Sequence, residues 1–229
     1  MTFRATSCIA LLGGSFDPVH RGHVALAELF AQLLQPDELR IMPAGQPWQK
    51  KAGLEAGDAD RVAMLKLAFE HAAFKPVIDT REIERDTPTY TVDTLRELRA
   101  ELGPDASIVF LMGADQLQKL DSWRDWEDLF ALANFAVAAR PGYQLDSAAL
   151  PPAVAAALAP RLGTPEEVRA SKAGRVCLAH TLAVDISATE LRAALHAGAE
   201  ADPAQRAKVS ALLAPQVLDY IQQHNLYKS

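Results

Sequence analysis

The sequence has few cysteines and no cysteine motif. Of its 229 residues, only two are cysteines, Cys8 and Cys177, and each lies in a short apolar run. A disulfide framework needs several cysteines, and a redox or zinc motif needs a C-x-x-C pair, but the sequence has neither. The two residues are therefore predicted to be buried thiols in a reducing compartment, and we expect a cytoplasmic protein.

The sequence also lacks long apolar runs and an excess of positive charge. No run approaches the roughly 20 apolar residues that span a membrane. The first apolar run is short and leads directly into a glycine-rich segment, so we expect no signal peptide. The formal net charge of −6 argues against a nucleic-acid-binding surface. We therefore expect neither a membrane nor a nucleic acid as a partner, whereas a nucleotide substrate needs only a local cluster of cations and N–H groups.

Short apolar runs alternate with amphipathic segments along most of the chain. Strands are predicted for residues 8–12, 38–42, 77–79, 107–112, 134–139 and 175–178. Helices are predicted between them, among others for residues 24–34 and 60–72. This alternation is typical of an α/β protein with a Rossmann-like, doubly wound parallel sheet that is flanked by helices.

The length suits a single domain that comprises residues 1–229. Residues 141–172 are rich in Ala and Pro and are predicted to form a variable insertion with one or two exposed helices. Residues 193–229 are predicted to add a small helical part, with structural helices at 203–213 and 215–225.

A glycine-rich turn follows the first predicted strand and leads into a helix. His20 and His23 stand three residues apart at the start of that helix and should share one face. Free N–H groups and the positive end of a helix dipole beside two imidazoles suit a polyphosphate. The turn has neither the G-K-[ST] ending of a P-loop nor the three-glycine spacing of a dinucleotide fingerprint. The candidate phosphate-binding residues are Gly13, Gly14, Ser15, Phe16, His20 and His23.

Residues 14–23 resemble the G-[TS]-F-D-P-x-H-x-G-H signature of the nucleotidyltransferase superfamily. The resemblance implies that His20 and His23 contact the phosphates of ATP. It also separates the chain from the pantetheine-phosphate branch, which usually carries Thr where this sequence has His20.

A second candidate anion site precedes the C-terminal helices. Ser187 and Glu190 have the spacing of a capping box, which predicts a helix start there. The first turns of that helix would present a hydroxyl and a guanidinium beside its positive end. The segment resembles the I-S-[SA]-T-x-x-R signature of the same superfamily, which implies ATP-phosphate contacts. The residues concerned are Ile186, Ser187, Thr189 and Arg192.

Two further segments carry candidate ATP contacts. Pro47-Trp48-Gln49-Lys50 resembles the family's P-P-H-[KR], which implies that Lys50 reaches the phosphates, although Gln49 replaces the usual His. From the residues alone, the better interpretation of Trp48 beside two lysines is a hydrophobic plug with solvated charges. Gly113 and Asp115 follow a predicted central strand, where α/β sheets bind ligands. They resemble the family's G-x-D, which implies that Asp115 binds a ribose or supports the metal; the alternative is a helix N-cap.

Three segments are candidates for the second substrate. Residues 81–95 resemble the R-E-[IL]-x-R-x-x-P-[ST]-Y-T-x-D-T-L stretch of the nicotinate-nucleotide adenylyltransferases, whereas the residues alone indicate a charged turn and a helix capped by Thr89 or Thr91. In that family a Trp packs against the nicotinate ring, and an R-P-G-Y turn matches residues 140–143. The candidate substrate-binding residues are Thr89, Tyr90, Trp123 and Arg140.

The resemblance implies adenylyl transfer from ATP to nicotinate mononucleotide, which gives deamido-NAD and pyrophosphate. The attacking phosphate oxygen is already anionic, so His20, His23 and Arg192 are expected to be electrostatic catalytic groups without a base. The sequence has no dense carboxylate cluster, so Mg²⁺ is expected to be bound mainly by ATP phosphates and no protein metal site is predicted. One alternative is a related adenylyltransferase that acts on nicotinamide mononucleotide or pantetheine phosphate. The other is a nucleotide sensor that binds but does not catalyse.

Overall fold

The computed structural model describes residues 7–47, 54–138, 150–179, 188–197 and 202–228. Its strands are β1 (Cys8–Gly14), β2 (Glu38–Pro43), β3 (Gln46–Pro47), β4 (Val77–Ile78), β5 (Pro88–Thr89), β6 (Ser107–Gly113), β7 (Asn134–Ala138) and β8 (Val176–Ala179). Its α-helices are α1 (Arg21–Leu34), α2 (Asp58–Ala68), α3 (Thr91–Leu102), α4 (Ala114–Leu117), α5 (Leu129–Leu132), α6 (Pro152–Leu158), α7 (Pro165–Ala170), α8 (Ala188–Ala197), α9 (Pro203–Leu212) and α10 (Pro215–Gln223). Short 3-10 helices lie at Leu120–Ser122, Trp126–Asp128 and Ala159–Arg161.

Six strands form one parallel sheet in the order β4-β2-β1-β6-β7-β8, and β3 pairs separately with β5. Strand β1 is central: Leu11 is aligned with Arg40 of β2 on one side and with Phe110 of β6 on the other. The chain winds outward from β1 through β2 to β4, and then from β6 through β7 to β8. The doubly wound sheet is thereby confirmed. The carboxyl ends of β1 and β6 form the topological switch point, where such sheets bind ligands.

Helices cover both faces of the sheet, which explains the continuous apolar runs of its strands. Successive residues of β1 point to opposite faces: Leu12 belongs to the core that includes residues of α1, α2 and α8–α10. Leu11 belongs to the core on the other face, which includes residues of α3, α5 and α6. Both predicted buried cysteines are confirmed, because Cys8 is 0% and Cys177 is 2% exposed and both are free thiols.

The start of α3 differs from the sequence-based expectation. Neither Thr89 nor Thr91 caps this helix: Tyr90 is the N-cap residue, and no side-chain hydrogen bond closes the cap. Thr89 instead lies in β5, where it is aligned with Pro47 of β3. The small β3–β5 sheet therefore fixes the segment that precedes α3, and the prediction of a threonine cap is wrong.

The described part of the 141–172 segment is packed against the sheet. Val154 of α6 and Val168 of α7 are both fully buried. Asn134 of β7 donates through Nδ2 to the carbonyls of Val168, at 3.2 Å, and Ser171, at 2.6 Å. Each helix therefore exposes part of its surface, as expected, but also buries an apolar face, since α7 contacts α1 and three strands of the sheet. No helix within the described ranges is both long and apolar enough to cross a membrane.

Candidate active site

The glycine-rich turn leaves β1 at the switch point and ends where α1 begins. Gly14 accepts a hydrogen bond from Ala44 N at 2.8 Å, which ties the turn to the end of β2. Phe16 is fully buried and has a φ of 47°. A Cβ atom at Gly14 would lie 3.1 Å from the Phe16 ring, so a glycine at this position avoids a close contact with the ring. His20 is the extended N-cap residue of α1.

His20 and His23 lie together at the start of α1, as their spacing predicted. Their rings are stacked with centroids 3.7 Å apart, and the edge of Phe16 approaches His23 with centroids 4.8 Å apart. The N–H of His20 donates to Nδ1 of His23 at 3.2 Å. Because Nδ1 accepts this bond, a neutral His23 carries its proton on Nε2. The second nitrogen is then a donor that can serve a phosphate oxygen.

Arg61 of α2 supports the same turn through a hydrogen bond to its backbone. Its side chain is fully buried, Nη1 donates to the carbonyl of Ser15 at 2.9 Å, and Nη2 pairs with Asp58. This contact was not predicted from the sequence. A signal was present, since Arg61 precedes Met64 and Leu65 by three and four residues and therefore lies on the buried face of its helix.

Asp17 is the central hydrogen-bond acceptor of the turn and is 2% exposed. Its Oδ2 accepts from Glu55 N at 2.9 Å, and its Oδ1 accepts from Ala56 N at 3.0 Å. Oδ1 also accepts from the hydroxyl of Tyr227 at 2.7 Å. Burial raises the pKa of Tyr227, and the hydrogen bond to the Asp17 carboxylate raises it further. No role was predicted from the sequence for Asp17 or Tyr227.

Helix α8 brings Arg192 to this turn. Its Nη1 donates to the carbonyl of Asp17 at 2.9 Å, and its Nε lies 3.0 Å from Oε1 of Glu55. His196, one turn further along α8, contacts the other oxygen of Glu55 at 2.7 Å. The two segments with predicted phosphate contacts therefore meet. Thr189 lies exposed in the first turn of α8, whereas Ile186, Ser187 and Lys50 lie outside the described residues.

Gly113 and Asp115 lie at the carboxyl end of β6, beside the end of β1. Gly113 is the N-cap residue of α4 and Asp115 lies in its first turn, so the alternative interpretation of Asp115 as the N-cap is wrong. A Cβ atom at Gly113 would come within 2.5 Å of Oδ1 of Asp115. The carboxylate therefore folds back over a glycine, and its Oδ2 accepts from the side chain of Gln116 at 3.1 Å.

Two of the candidate substrate residues, Tyr90 and Trp123, pack against the core on the other face of the sheet. The rings of Trp123 and Phe110 of β6 form a T-shaped pair, with centroids 6.0 Å apart and an interplanar angle of 89°. The Phe110 ring in turn reaches within 3.4 Å of where a Cβ of Gly13 would be. The guanidinium of Arg124 lies 4.7 Å from the centroid of the Tyr90 ring. Thr89 is 5% exposed, and Arg140 lies outside the described residues.

A parallel sheet with two stacked imidazoles at its switch point, beside an arginine from a second helix, defines a protein of the nucleotidyltransferase class. A family model described as cytidylyltransferase-like matches residues 11–194. A protein of Herminiimonas arsenicoxydans with the name "Probable nicotinate-nucleotide adenylyltransferase" is 54% identical over 224 residues, which cover 98% of each chain. The chain therefore belongs to the cytidylyltransferase-like family and, within it, to the nicotinate-nucleotide adenylyltransferases.

Further comparisons agree with this assignment. A protein of the same name from Laribacter hongkongensis is 46% identical over 231 residues, which cover 100% of this chain and 98% of the relative. Among solved structures, nicotinic acid mononucleotide adenylyltransferase of Plasmodium falciparum in complex with NaAD superposes with a TM-score of 0.73. At 22% identity, over 96% of this chain and 97% of that chain, this match supports the fold alone.

Proposed function

We propose that the protein transfers the adenylyl group of ATP to nicotinate mononucleotide and thereby forms deamido-NAD and pyrophosphate, a step of NAD biosynthesis. The observation that carries the ATP side is the contact of Arg192 with the carbonyl of Asp17, three residues before His20. This contact brings a guanidinium and two imidazoles to one end of the sheet. The names of the close relatives support nicotinate mononucleotide as the acceptor.

The reaction makes one bond and breaks one. An oxygen of the acceptor phosphate attacks the α-phosphorus of ATP, the bond from that phosphorus to the β-phosphate oxygen breaks, and pyrophosphate leaves. The nucleophile is already anionic, so the site needs to position it in line and to stabilise negative charge. We propose that His20, His23 and Arg192 stabilise this negative charge and that Nε2 of His23 donates a hydrogen bond to it.

The remaining ATP contacts are proposed from the resemblance of their sequence segments to the superfamily motifs. The proposed contacts are the turn residues Gly13, Gly14, Ser15 and Phe16, the β6 end at Gly113 and Asp115, and the residues Lys50, Ile186, Ser187 and Thr189. Mg²⁺ is proposed to accompany ATP. The ion is proposed to be held mainly by phosphate oxygens and water, because Mg²⁺ commonly binds through substrate phosphates.

The acceptor is proposed to bind at Thr89, Tyr90, Trp123 and Arg140. The indole N–H of Trp123 is buried and has no hydrogen-bond partner among the described residues. A pyridine ring stacked on the indole would use its face, and a polar group of the acceptor could accept from its N–H. We also propose a cytoplasmic location, which suits the two buried free thiols.

Pyrophosphate release from ATP and Mg²⁺ tests the function directly. The assay is run with nicotinate mononucleotide, nicotinamide mononucleotide and pantetheine phosphate in turn. We expect rapid release with the first and a value of kcat/KM at least about tenfold lower with the other two. Nicotinamide mononucleotide carries a neutral amide in place of the carboxylate, and pantetheine phosphate has no pyridine ring to stack on Trp123. Faster release with either competitor would reassign the acceptor, and ATP binding without release would identify a sensor.

A further inference from the structure

We propose that Tyr227 is a positioning residue for the ATP side of the site and that it acts through the carboxylate of Asp17. Tyr227 follows α10 and lies beyond the structural helix that was predicted for residues 215–225. The inference rests on the proposed function, since it concerns how the same site holds ATP.

The position of Tyr227 depends on a specific path of the chain after α10. Leu226 N donates to the carbonyl of Ile221 at 3.0 Å, which turns the chain away from the helix axis. Asn225 has a φ of 54° and Tyr227 a φ of 56°. Left-handed backbone is uncommon for residues other than glycine, and for a bulky side chain it persists only where surrounding contacts impose it. Here it places the Tyr227 hydroxyl against Asp17, with the whole residue 6% exposed.

The hydroxyl of Tyr227 completes the set of donors around a buried carboxylate. Oδ1 of Asp17 accepts hydrogen bonds from Ala56 N and from the Tyr227 hydroxyl, and Oδ2 accepts one from Glu55 N. A buried carboxylate needs such donors, because each lost hydrogen bond leaves negative charge that water does not reach. Loss of the hydroxyl should therefore loosen the hold of Asp17 on residues 55 and 56.

Asp17 links this network to the proposed phosphate contacts in two ways. Its carbonyl accepts from Arg192, and the backbone N–H of Glu55 bonds to its carboxylate while the Glu55 side chain pairs with Arg192. A shift of Asp17 therefore changes the position of the Arg192 guanidinium. It would also move the segment that enters α1 at His20.

The acceptor side should respond far less to such a shift. Tyr227 and Phe16 belong to the core on one face of the sheet. Trp123 and Tyr90 pack against the core on the opposite face. Removal of the hydroxyl is therefore expected to affect ATP more than the acceptor mononucleotide.

The test compares two tyrosines that each donate to an aspartate. Tyr227→Phe removes the bond to Asp17, and Tyr220→Phe removes a 2.9 Å bond from α10 to Asp60 of α2. We expect Tyr227→Phe to weaken ATP binding, measured by calorimetry, about tenfold, as the loss of a hydrogen bond to a charged group suggests. The KM of the mononucleotide should stay within about twofold of the wild-type value, because the proposed acceptor contacts Trp123 and Tyr90 pack on the opposite face of the sheet. Tyr220→Phe should leave ATP affinity unchanged.

A double-variant cycle with Asp17→Asn asks whether Tyr227 acts through Asp17. If it does, the losses of ATP affinity in Tyr227→Phe and Asp17→Asn will not add in the double variant. Additive losses, or equal ATP affinity of Tyr227→Phe and Tyr220→Phe, would overturn the proposal. If Tyr227→Phe does not fold, ATP affinity is measured in Asp17→Asn alone, which keeps the Tyr227 side chain but removes the charge that it contacts; unchanged affinity in that variant would also overturn the proposal. Because ATP binding is measured without acceptor, the result stands apart from the pyrophosphate test of the function.

Discussion

At the scale of single residues, a backbone contact determines the tautomer of a neutral His23. The N–H of His20 occupies Nδ1 of His23, so Nε2 is the nitrogen that can donate. Stacking on His20 and the edge of Phe16 restrain the ring. A restrained donor can stabilise charge that develops in the transition state without reorganising first. His23 therefore has the geometry of an electrostatic group, and a phosphate nucleophile requires no base.

The first prediction concerns the loss of this donor. We expect His23→Ala to lower kcat for pyrophosphate release by about 10²-fold or more, as for other lost transition-state donors. His71→Ala is the matched control, because the His71 side chain is 77% exposed and lies outside the site. Circular dichroism and thermal melting check that both variants fold. Turnover of His23→Ala close to that of His71→Ala would remove His23 from the catalytic assignment.

Some site residues could be predicted from the sequence and others could not. His20, His23 and Arg192 were found because short motifs place them next to helix starts, a relation that is local in the chain. Tyr227 could not be found in this way, because its partner Asp17 lies 210 positions earlier. No local pattern encodes a contact over that distance, and the φ of 56° that aims Tyr227 is imposed by the packed structure.

At the scale of elements, α2 supports the turn between β1 and α1. The buried guanidinium of Arg61 connects the helix to the carbonyl of Ser15. That carbonyl belongs to a turn whose N–H groups are proposed to face ATP, so its orientation determines where those groups point. Helix α2 thereby contributes to the candidate site through its contact with the turn.

The second prediction tests this support. Arg61→Met keeps much of the side-chain volume but leaves the Ser15 carbonyl without its buried donor, so we expect the free energy of unfolding to fall by about 1–3 kcal/mol. Asp58 stays solvated, because its side chain is 52% exposed. Arg96→Met is the control: this side chain is 45% exposed, and the loss of its ion pairs should cost about 0–1 kcal/mol. Urea unfolding measures both, and an equal loss in the two variants would contradict the role given to Arg61.

The elements themselves were predictable to different degrees. Strands β1, β6 and β7 are continuous apolar runs between polar turns, and their predicted positions agree with the structure to within two residues. The helices at 150–172 were predicted but their burial was not, because alanine-rich helices bury few large side chains and Val154 and Val168 carry no signal alone. The variable character of the 141–172 segment stays a prediction.

At the scale of the whole molecule, the two faces of the sheet have different tasks in the proposed reaction. The face with α1, α2 and α8 carries the proposed ATP contacts, and the face with α3 and Trp123 carries the proposed acceptor contacts. Both meet at the switch point between β1 and β6. In-line transfer requires the attacking oxygen to lie next to the α-phosphorus, and the carboxyl ends of neighbouring parallel strands can hold the two proposed substrates side by side.

A charge network at the β4 edge connects the sheet to α3. Arg40 of β2 and Arg81 both contact Asp79, at 3.2 Å and 2.8 Å, and both also contact Glu101 of α3, at 3.0 Å and 2.7 Å. Burial alone would raise the pKa of Asp79, but hydrogen bonds from Arg81 and the charges of both arginines lower it below its ordinary value. The hydrogen bond from Arg81 similarly lowers the pKa of Glu101.

The last prediction concerns stability at low pH. Because the folded pKa values are the lower ones, the network stabilises the fold fully above the ordinary values of 3.8 for Asp79 and 4.5 for Glu101. This stabilisation is lost as the pH falls through the lower, folded values. Asp79→Asn should therefore reduce the free energy of unfolding by about 1–3 kcal/mol at pH 7, and the difference from wild type should shrink towards pH 3. Asp86→Asn, at an exposed position in the following segment, should differ little from wild type across this range. A constant difference between Asp79→Asn and wild type from pH 7 to pH 3 would show that the carboxylate of Asp79 does not contribute through its charge.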